Sequence, residues 1–109
     1  MFRQYRQSVT RINALQNKHI EGTEAYDKAI AKGEFPSILR SDASTLLKEG
    51  AGTGIMHGNK EIVDFGRVIG EYGDLKTKTY HNTTMGAIHY NTKGSTHIVP
   101  IKPNDWIET

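Results

Sequence analysis

The 109-residue sequence has no cysteine. A disulfide framework and a thiolate metal site are therefore both excluded. Long apolar runs are also missing, since no stretch approaches the roughly 20 residues that a membrane-spanning helix needs. The N-terminal residues are polar and basic, which does not fit a secretory signal peptide.

The composition that remains is typical of one soluble domain. Hydrophobic residues make up 36% of the chain and charged residues 24%, which suits a single modest core. The formal net charge is +2 and the pI is near 8.9. This mild basicity is compatible with a polyanionic partner but does not identify one.

The first half of the chain has helical periodicity. Apolar residues three and four apart predict an amphipathic helix over residues 2–16. Two further helices are predicted, each with a polar N-cap and a glycine at its end. They are residues 24–32 after Thr23 and residues 42–49 after Ser41.

The second half, from Ile55 onward, has the pattern of β-strands. Residues 61–65 and 68–72 are β-prone and predict a hairpin around an intervening Gly-Arg pair. Residues 75–80 predict a further, more polar strand. Helices followed by antiparallel strands indicate an α+β fold.

The last two β-prone runs, residues 83–90 and 95–101, flank an Asn-Thr-Lys-Gly turn. This turn predicts a hairpin closed by a type I turn and a left-handed glycine. In the resulting register His89 lies opposite His97, and opposed residues share a sheet face. The sequence therefore predicts two imidazoles side by side.

Three interpretations of His89 and His97 stay open at this point. They are structural histidines satisfied by hydrogen bonds, ligands of a zinc ion, or an acid–base pair. Zinc needs further ligands, and no Cys or His-x-Glu pattern supplies them. Acid–base chemistry suits imidazole because it titrates near neutrality.

Two other segments are candidates for a role in the site. The glycine-rich residues 50–54 follow a helix, whereas a nucleotide-binding loop follows a strand. A helix end is the favoured interpretation, although the Thr53 hydroxyl remains available to a phosphate. Lys18 and His19 either complement a helix dipole or supply a third basic group.

The two remaining histidines, His57 and His81, lie among Gly, Asn and Thr residues. Both are predicted to be loop residues without a role.

Several reaction classes lack their motifs. The Gly-x-Ser-x-Gly elbow of hydrolases is absent, and no paired carboxylates indicate glycosidase chemistry. What remains is metal-independent chemistry on a phosphodiester, with two histidines, a nearby lysine and the hydroxyls of Thr96 or Ser95.

Residues from about 16 to 103 resemble the bacterial polymorphic toxin type 50 family. The resemblance rests on five short motifs spread along the chain. They are Gln16–Ile20 with Gly22, Thr23 and Tyr26, then Ala51–Gly54, Glu61–Val63, Ile88–Tyr90 and Thr96–Pro100.

This resemblance implies a ribonuclease of the barnase–EndoU–colicin–RelE-like group. Its fold would place N-terminal helices on a four- to five-stranded antiparallel sheet. Residues 16–109 would form the toxin domain, and residues 1–15 would belong to the linker or helix of a larger parent. The implied catalytic residues are Lys18, His19, His89, Thr96 and His97.

The resulting hypothesis is an endoribonuclease that cuts RNA by 2′-hydroxyl transesterification, without cofactor or metal. His89 or His19 would be the base and His97 the acid, while Lys18 and Thr96 would stabilise the phosphate. Further substrate-binding candidates are Thr53, Tyr90 and Ser95. The alternatives are a non-catalytic RNA-binding or assembly module and a metal-dependent nuclease.

The same resemblance implies partners and a place of action. RNA, with tRNA as one candidate, would be the substrate, and a cognate immunity protein would neutralise the domain. The domain would be secreted or delivered within a larger protein, act in the target-cell cytoplasm and be a monomer when free.

Overall fold

A computed structural model describes residues 11–104 of the chain. Over this range the fold is α+β, as predicted, with two β-sheets and three short helices. The strands are Arg11–Ile12 (β1), Ile38–Leu39 (β2), Ile55–His57 (β3), Lys60–Asp64 (β4), Gly70–Asp74 (β5), Thr79–Thr83 (β6), Met85–Tyr90 (β7) and Ser95–Pro100 (β8). The helices are the 3₁₀ helix Ala14–His19 (η1) and the α-helices Glu24–Ala31 (α1) and Ala43–Gly50 (α2).

The two α-helices lie where the sequence predicts them. Thr23 caps α1, because its hydroxyl accepts a hydrogen bond from the backbone N–H of Tyr26 at 3.1 Å. The predicted cap of α2 is wrong by one residue. Asp42 takes that position instead of Ser41, since its carboxylate accepts the N–H of Thr45 at 2.9 Å.

The helix predicted over residues 2–16 is wrong at Arg11 and Ile12, whereas residues 14–16 lie in the 3₁₀ helix η1. Residues 2–10 of the predicted helix lie outside the described residues. Arg11 and Ile12 form a strand that pairs in parallel with β8. The backbone N–H of Asn13 adds a hydrogen bond to the carbonyl of Thr96 at 2.7 Å. The free edge of β8 therefore overrides the helical periodicity of this segment.

The larger sheet has five strands in the order β1-β8-β7-β4-β3. The predicted strand number is correct, but the sheet is mixed because β1 runs parallel to β8. A second, three-stranded antiparallel sheet has the order β2-β5-β6. The sequence did not predict this second sheet.

The hairpin predicted from residues 61–65 and 68–72 is wrong. β4 pairs with β3 and β7 in the larger sheet, whereas β5 pairs with β2 and β6 in the smaller one. Gly66, with φ of +75°, turns the chain from one sheet toward the other. The polar strand predicted over residues 75–80 begins only at Thr79, after a turn.

The β7–β8 hairpin has the predicted register, with His89 opposite His97. Its turn also has the predicted form, since Gly94 takes a φ of +79°. The side chain of Asn91 holds this turn by accepting the backbone N–H groups of Lys93 and Ser95 at 2.9 and 3.0 Å. Local turn chemistry therefore fixes which residues share each face.

The hydrophobic core lies on the face of the larger sheet opposite the histidines. Side chains from both sheets and from α2 meet there. The fully buried members of this cluster are Leu39, Leu46, Leu47, Val63, Ile69, Ile88, Tyr90 and Ile98. The opposite face carries His89 and His97 and with them the candidate site.

Candidate active site

The centre of the candidate site is a pair of stacked imidazoles on β7 and β8. The rings of His89 and His97 have centroids 4.6 Å apart and planes 19° from parallel. Both side chains are half-buried. The predicted juxtaposition of the two histidines is confirmed, because the hairpin register places them directly opposite each other.

A third imidazole extends this stack from a distant part of the chain. The ring of His19, at the end of η1, lies 6.3 Å from that of His97 with planes 11° from parallel. His97 therefore stands between His89 and His19. We call these three residues the histidine stack.

Gln16 determines where η1 lies relative to β8. Its side-chain amide donates to the carbonyl of Ile98 at 2.7 Å and its oxygen accepts the N–H of Ile98 at 2.6 Å. These two bonds extend the hydrogen bonding that the backbone of β1 makes along the edge of β8. Gln16 is only 2% exposed, and three residues later in η1 His19 reaches the stack.

The tautomer of His19 is fixed by a backbone contact. Its Nδ1 lies 2.9 Å from the carbonyl oxygen of Ser37. A carbonyl only accepts hydrogen bonds, so in neutral His19 the proton is on Nδ1 and the lone pair is on Nε2. Ser37 is itself held, since its hydroxyl accepts the N–H of Gly73 at 3.0 Å.

The histidine stack favours neutral imidazoles. Burial lowers the pKa of all three side chains, and it is the largest cause in each case. For His97 the neighbouring His89 and His19 add to this effect and bring the pKa to about 4. Imidazolium charge therefore needs a compensating anion at this site.

Lys18 lies beside the stack, but its charge is already paired. Its Nζ is 2.6 Å from Oε1 of Glu34 in a surface ion pair. The positive charge of Lys18 still contributes to the lowered pKa of His19, after burial. The structure thus places Lys18 near His19, with Glu34 as its direct partner.

Two sequence-predicted residues lie on the opposite face of the sheet. Thr96 is 0% exposed and its hydroxyl donates to the carbonyl of Arg11 at 3.1 Å. Tyr90 is 2% exposed and its hydroxyl donates to Glu61 at 2.6 Å. The structure does not bring either hydroxyl to the histidine stack.

The hydroxyls of Ser95 and Thr53 both have internal partners. Ser95 is buried, and its oxygen accepts the side-chain amides of Asn13 and Asn91. Thr53 donates to the carbonyl of Gly50 at 2.7 Å. Thr53 lies in the loop after α2, away from the β7–β8 turn.

The loop after α2 ends the helix, in agreement with the favoured interpretation. Its backbone N–H groups bind a carboxylate of the protein itself, because Gly52 and Gly54 donate to Glu61 at 3.0 and 2.7 Å. Glu61 is 0% exposed. These two amides are therefore occupied and do not form a phosphate loop.

Sequence reasoning missed Lys60, which lies directly opposite His89 on β4. Its positive charge contributes to the lowered pKa of His89, after burial. The signal was present in the chain, because a two-residue Gly-Asn turn before Lys60 predicts a hairpin. Recognising that hairpin would have placed Lys60 at the start of a strand.

The two histidines predicted to be loop residues lie in strands instead. His57 ends β3 and pairs with Lys60. His81 lies in β6 of the smaller sheet, where its Nε2 is 2.7 Å from the hydroxyl of Thr79. β3 has only three residues and β6 is polar, so neither shows the hydrophobic alternation that would have indicated a strand.

A separate groove of about 530 Å³ lies between η1 and the start of α2. Asn13, Gln16, Arg40 and Asp42 are among its lining residues, and none of the three stacked histidines is. Because the titratable groups converge on the sheet face, we place the candidate site there and not in this groove.

The comparison with protein families finds a match. Residues 12–100 match the family described as bacterial toxin 50, and this range contains the whole histidine stack. The chain belongs to the bacterial toxin 50 family. Neither the curated proteins nor the solved structures include a match.

The described residues contain neither a membrane-spanning helix nor a cluster of three metal-ligating side chains. Within residues 11–104 no helix is long and apolar enough to cross a membrane. Over the same residues no three His, Asp or Glu side chains converge in a way that could hold a metal ion.

Proposed function

We propose that this toxin domain is a metal-independent endoribonuclease. The observation that carries the proposal is the histidine stack, in which His19, with its tautomer fixed, lies beside the His89–His97 pair. Two imidazoles with opposite protonation can take one proton and give another, as transesterification of RNA requires. Membership of a toxin family supports an activity that damages cells.

In the proposed reaction His19 is the general base. Its Nε2 takes the proton of the ribose 2′-hydroxyl, and the 2′-oxygen attacks the adjacent phosphorus. The bond from phosphorus to the 5′-oxygen breaks as this oxygen takes a proton from protonated His97. The products are a 2′,3′-cyclic phosphate and a free 5′-hydroxyl.

Substrate binding would supply the negative charge that stabilises the protonated form of His97. In the free protein its pKa is held at about 4 by burial and by the two neighbouring imidazoles. A bound phosphodiester is negatively charged and raises the pKa of an imidazole beside it. His89 shares this environment, because its ring is 4.6 Å from that of His97.

Lys18 and Thr96 have different parts in the proposal. Burial lowers the pKa of His19, and the positive charge of Lys18 adds to this effect, which favours the base form. Thr96 supports the site indirectly, since its buried hydroxyl holds β1 against β8 by binding the carbonyl of Arg11. Neither role needs the side chain to contact the scissile phosphate.

Incubation of the domain with RNA, with and without a chelator, tests the activity. We expect cleavage in both conditions and 2′,3′-cyclic phosphate ends. His19→Gln and His97→Gln should each lower the rate by roughly 10²–10⁴-fold. His81→Gln, a histidine of the smaller sheet, is the matched control and should cleave at the wild-type rate.

The other outcomes separate the alternatives. Cleavage that stops in chelator would identify a metal-dependent nuclease. Binding of RNA without cleavage would identify a binding module. Wild-type rates in both His19→Gln and His97→Gln would remove the histidine stack from the reaction.

The proposal extends to delivery and neutralisation. We propose that the domain enters target cells as part of a larger secreted protein. It would act on cytoplasmic RNA, with tRNA as one candidate, and a cognate immunity protein would block it. Expression in cells without that protein should stop growth, and the His97→Gln variant should not.

A further inference from the structure

The histidine stack is one end of a longer row of basic side chains. His57 pairs with Lys60 across β3 and β4, Lys60 pairs with His89 across β4 and β7, and His89 pairs with His97 across β7 and β8. Directly opposed residues share a sheet face. We call these four residues the basic row, and at a strand spacing of about 4.8 Å it spans roughly 14 Å.

The charge of Lys60 is available to a ligand. Within residues 11–104, Lys18, Arg40 and Arg67 are held in ion pairs with glutamates. No carboxylate of the described residues lies within 4 Å of the Lys60 ammonium. The adjacent carboxylate on β4, Glu61, points to the opposite face and is buried.

The turn before Lys60 is fixed to the sheet. Gly58 has a φ of +63°, as the first central residue of a type II′ turn requires. Asn59 holds this turn against β7, because its carbonyl accepts the N–H of Tyr90 at 2.9 Å and its side chain donates to the Tyr90 carbonyl at 3.2 Å. The exposed His57 and Lys60 are therefore presented by a rigid hairpin next to His89.

We propose that His57 and Lys60 form a binding subsite for the phosphate next to the scissile one in single-stranded RNA. This inference rests on the proposed function, which places the scissile phosphate at the histidine stack. A row of basic groups that crosses the strands at regular spacing suits a strand carrying one negative charge per nucleotide. Phosphate contacts of this kind position a nucleic acid and do not read its sequence.

Substrates that differ only in the number of phosphates test the subsite. A dinucleoside monophosphate has the scissile phosphate alone, and versions with an added 5′- or 3′-phosphate have a second one. We expect Lys60→Gln to lower kcat/KM about tenfold for one of the two extended substrates. The loss should be clearly smaller for the dinucleoside monophosphate, because it lacks the second phosphate.

Three further variants serve as controls. Lys60→Arg should restore most of the loss because it keeps the charge. His57→Gln should affect the same extended substrate, and less strongly, because the glutamine amide keeps a hydrogen-bond donor at this position. Lys76→Gln, an exposed lysine in the β5–β6 turn, should cleave every substrate at the wild-type rate.

Two results would overturn the subsite. An equal loss on all substrates would mean that Lys60 contacts the scissile phosphate instead. No loss on any substrate would mean that the basic row does not bind RNA. Thermal melts of each variant would identify a loss caused by unfolding.

Failure of the proposed function would be recognised separately, because the wild type itself would then cleave nothing. In that case binding of a 2′-O-methyl oligonucleotide, measured by fluorescence anisotropy, decides the subsite. Weaker binding by Lys60→Gln, with a smaller dependence on salt, would support it. Unchanged binding would contradict it.

Discussion

A few side chains fix the geometry of the candidate site, and one of them, Gln16, lies outside the histidine stack. Gln16 copies the hydrogen-bonding pattern of a strand residue, since its amide meets both backbone groups of Ile98. These two residues are 82 positions apart in the chain. Together with the bond of His19 to the carbonyl of Ser37, this contact holds the end of η1 beside His97.

Replacement of Gln16 should cost both stability and activity. Gln16→Ala leaves the buried N–H and carbonyl of Ile98 without partners, at about 1–3 kcal/mol. It also frees His19 from the stack, so RNA cleavage should fall at least tenfold. Urea unfolding and cleavage assays measure the two effects, with Leu15→Ala, a 63% exposed neighbour, as the control. Wild-type activity in Gln16→Ala would show that η1 is positioned by other contacts.

The lowered pKa of His97 should make folding stability depend on pH. Between pH 6.5 and about 4 the unfolded chain binds a proton at this residue that the folded protein excludes. The free energy of unfolding is therefore greatest above pH 6.5 and falls as the pH is lowered through this window.

The His97→Gln variant should lose less stability on acidification. After allowance for solvent screening we expect a difference of about 1 kcal/mol, or roughly 4–8 °C in Tm, between pH 7 and pH 4. Melting curves of both proteins across this range measure it. Equal declines in Tm would show that His97 titrates normally.

The same lowered pKa values predict the pH profile of cleavage. The acid form of the stack is scarce in the free protein, and it is lost tenfold with each unit of pH above its pKa. Above neutral pH we therefore expect log kcat/KM to fall with a slope of about −1. A rate that stays level between pH 7 and pH 9 would exclude a histidine as the acid.

At the scale of elements, a helix or strand was predictable where the contacts that determine it lie close together in the sequence. The β7–β8 hairpin was predictable to the residue, because Asn91 and Gly94 set its turn within five residues. The β3–β4 hairpin has an equally local turn, Gly58-Asn59, but its first strand has only three residues, which is too short for a periodic pattern. The strand β1 was not predictable, because its partner is at the other end of the chain.

The loop after α2 depends on one buried carboxylate. Glu61 accepts hydrogen bonds from the N–H groups of Gly52 and Gly54 and from the hydroxyl of Tyr90. In Glu61→Gln an NH₂ group replaces one of the two accepting oxygens. This group then faces an N–H or O–H that also donates. We expect a loss of about 2–4 kcal/mol in the free energy of unfolding.

Urea denaturation of Glu61→Gln measures this loss. Glu49→Gln, an exposed glutamate paired with Arg67, is a control in which the loss should stay below about 1 kcal/mol. Equal effects in the two variants would show that the buried contacts do not hold the loop.

At the scale of the whole molecule, one face of the larger sheet stabilises the fold and the other carries the candidate site. The hydrophobic core lies on one face and the histidine stack on the other. Leu46 of α2 is fully buried in the core, so Leu46→Ala should lower the free energy of unfolding by about 2–5 kcal/mol.

Cleavage by the Leu46→Ala variant, measured well below its unfolding temperature, should stay within a few-fold of wild type. The urea midpoint should move while the m-value stays constant. A large loss of activity in protein that is still folded would show that the core face controls the geometry of the stack.

The sequence by itself determined the α+β class, both α-helices and the pairing of His89 with His97. Each of these depends on caps, turns and periodicity within about ten residues, and such local preferences survive in the folded chain. The motifs also indicated the toxin family, which the family comparison shows.

Only the tertiary structure decided how distant segments meet. It brought His19 to the pair through Gln16 and aligned Lys60 with His89. The physical reason is that sheet order and edge pairing are set by contacts between residues far apart in the chain. Those contacts leave no periodic signal in the sequence.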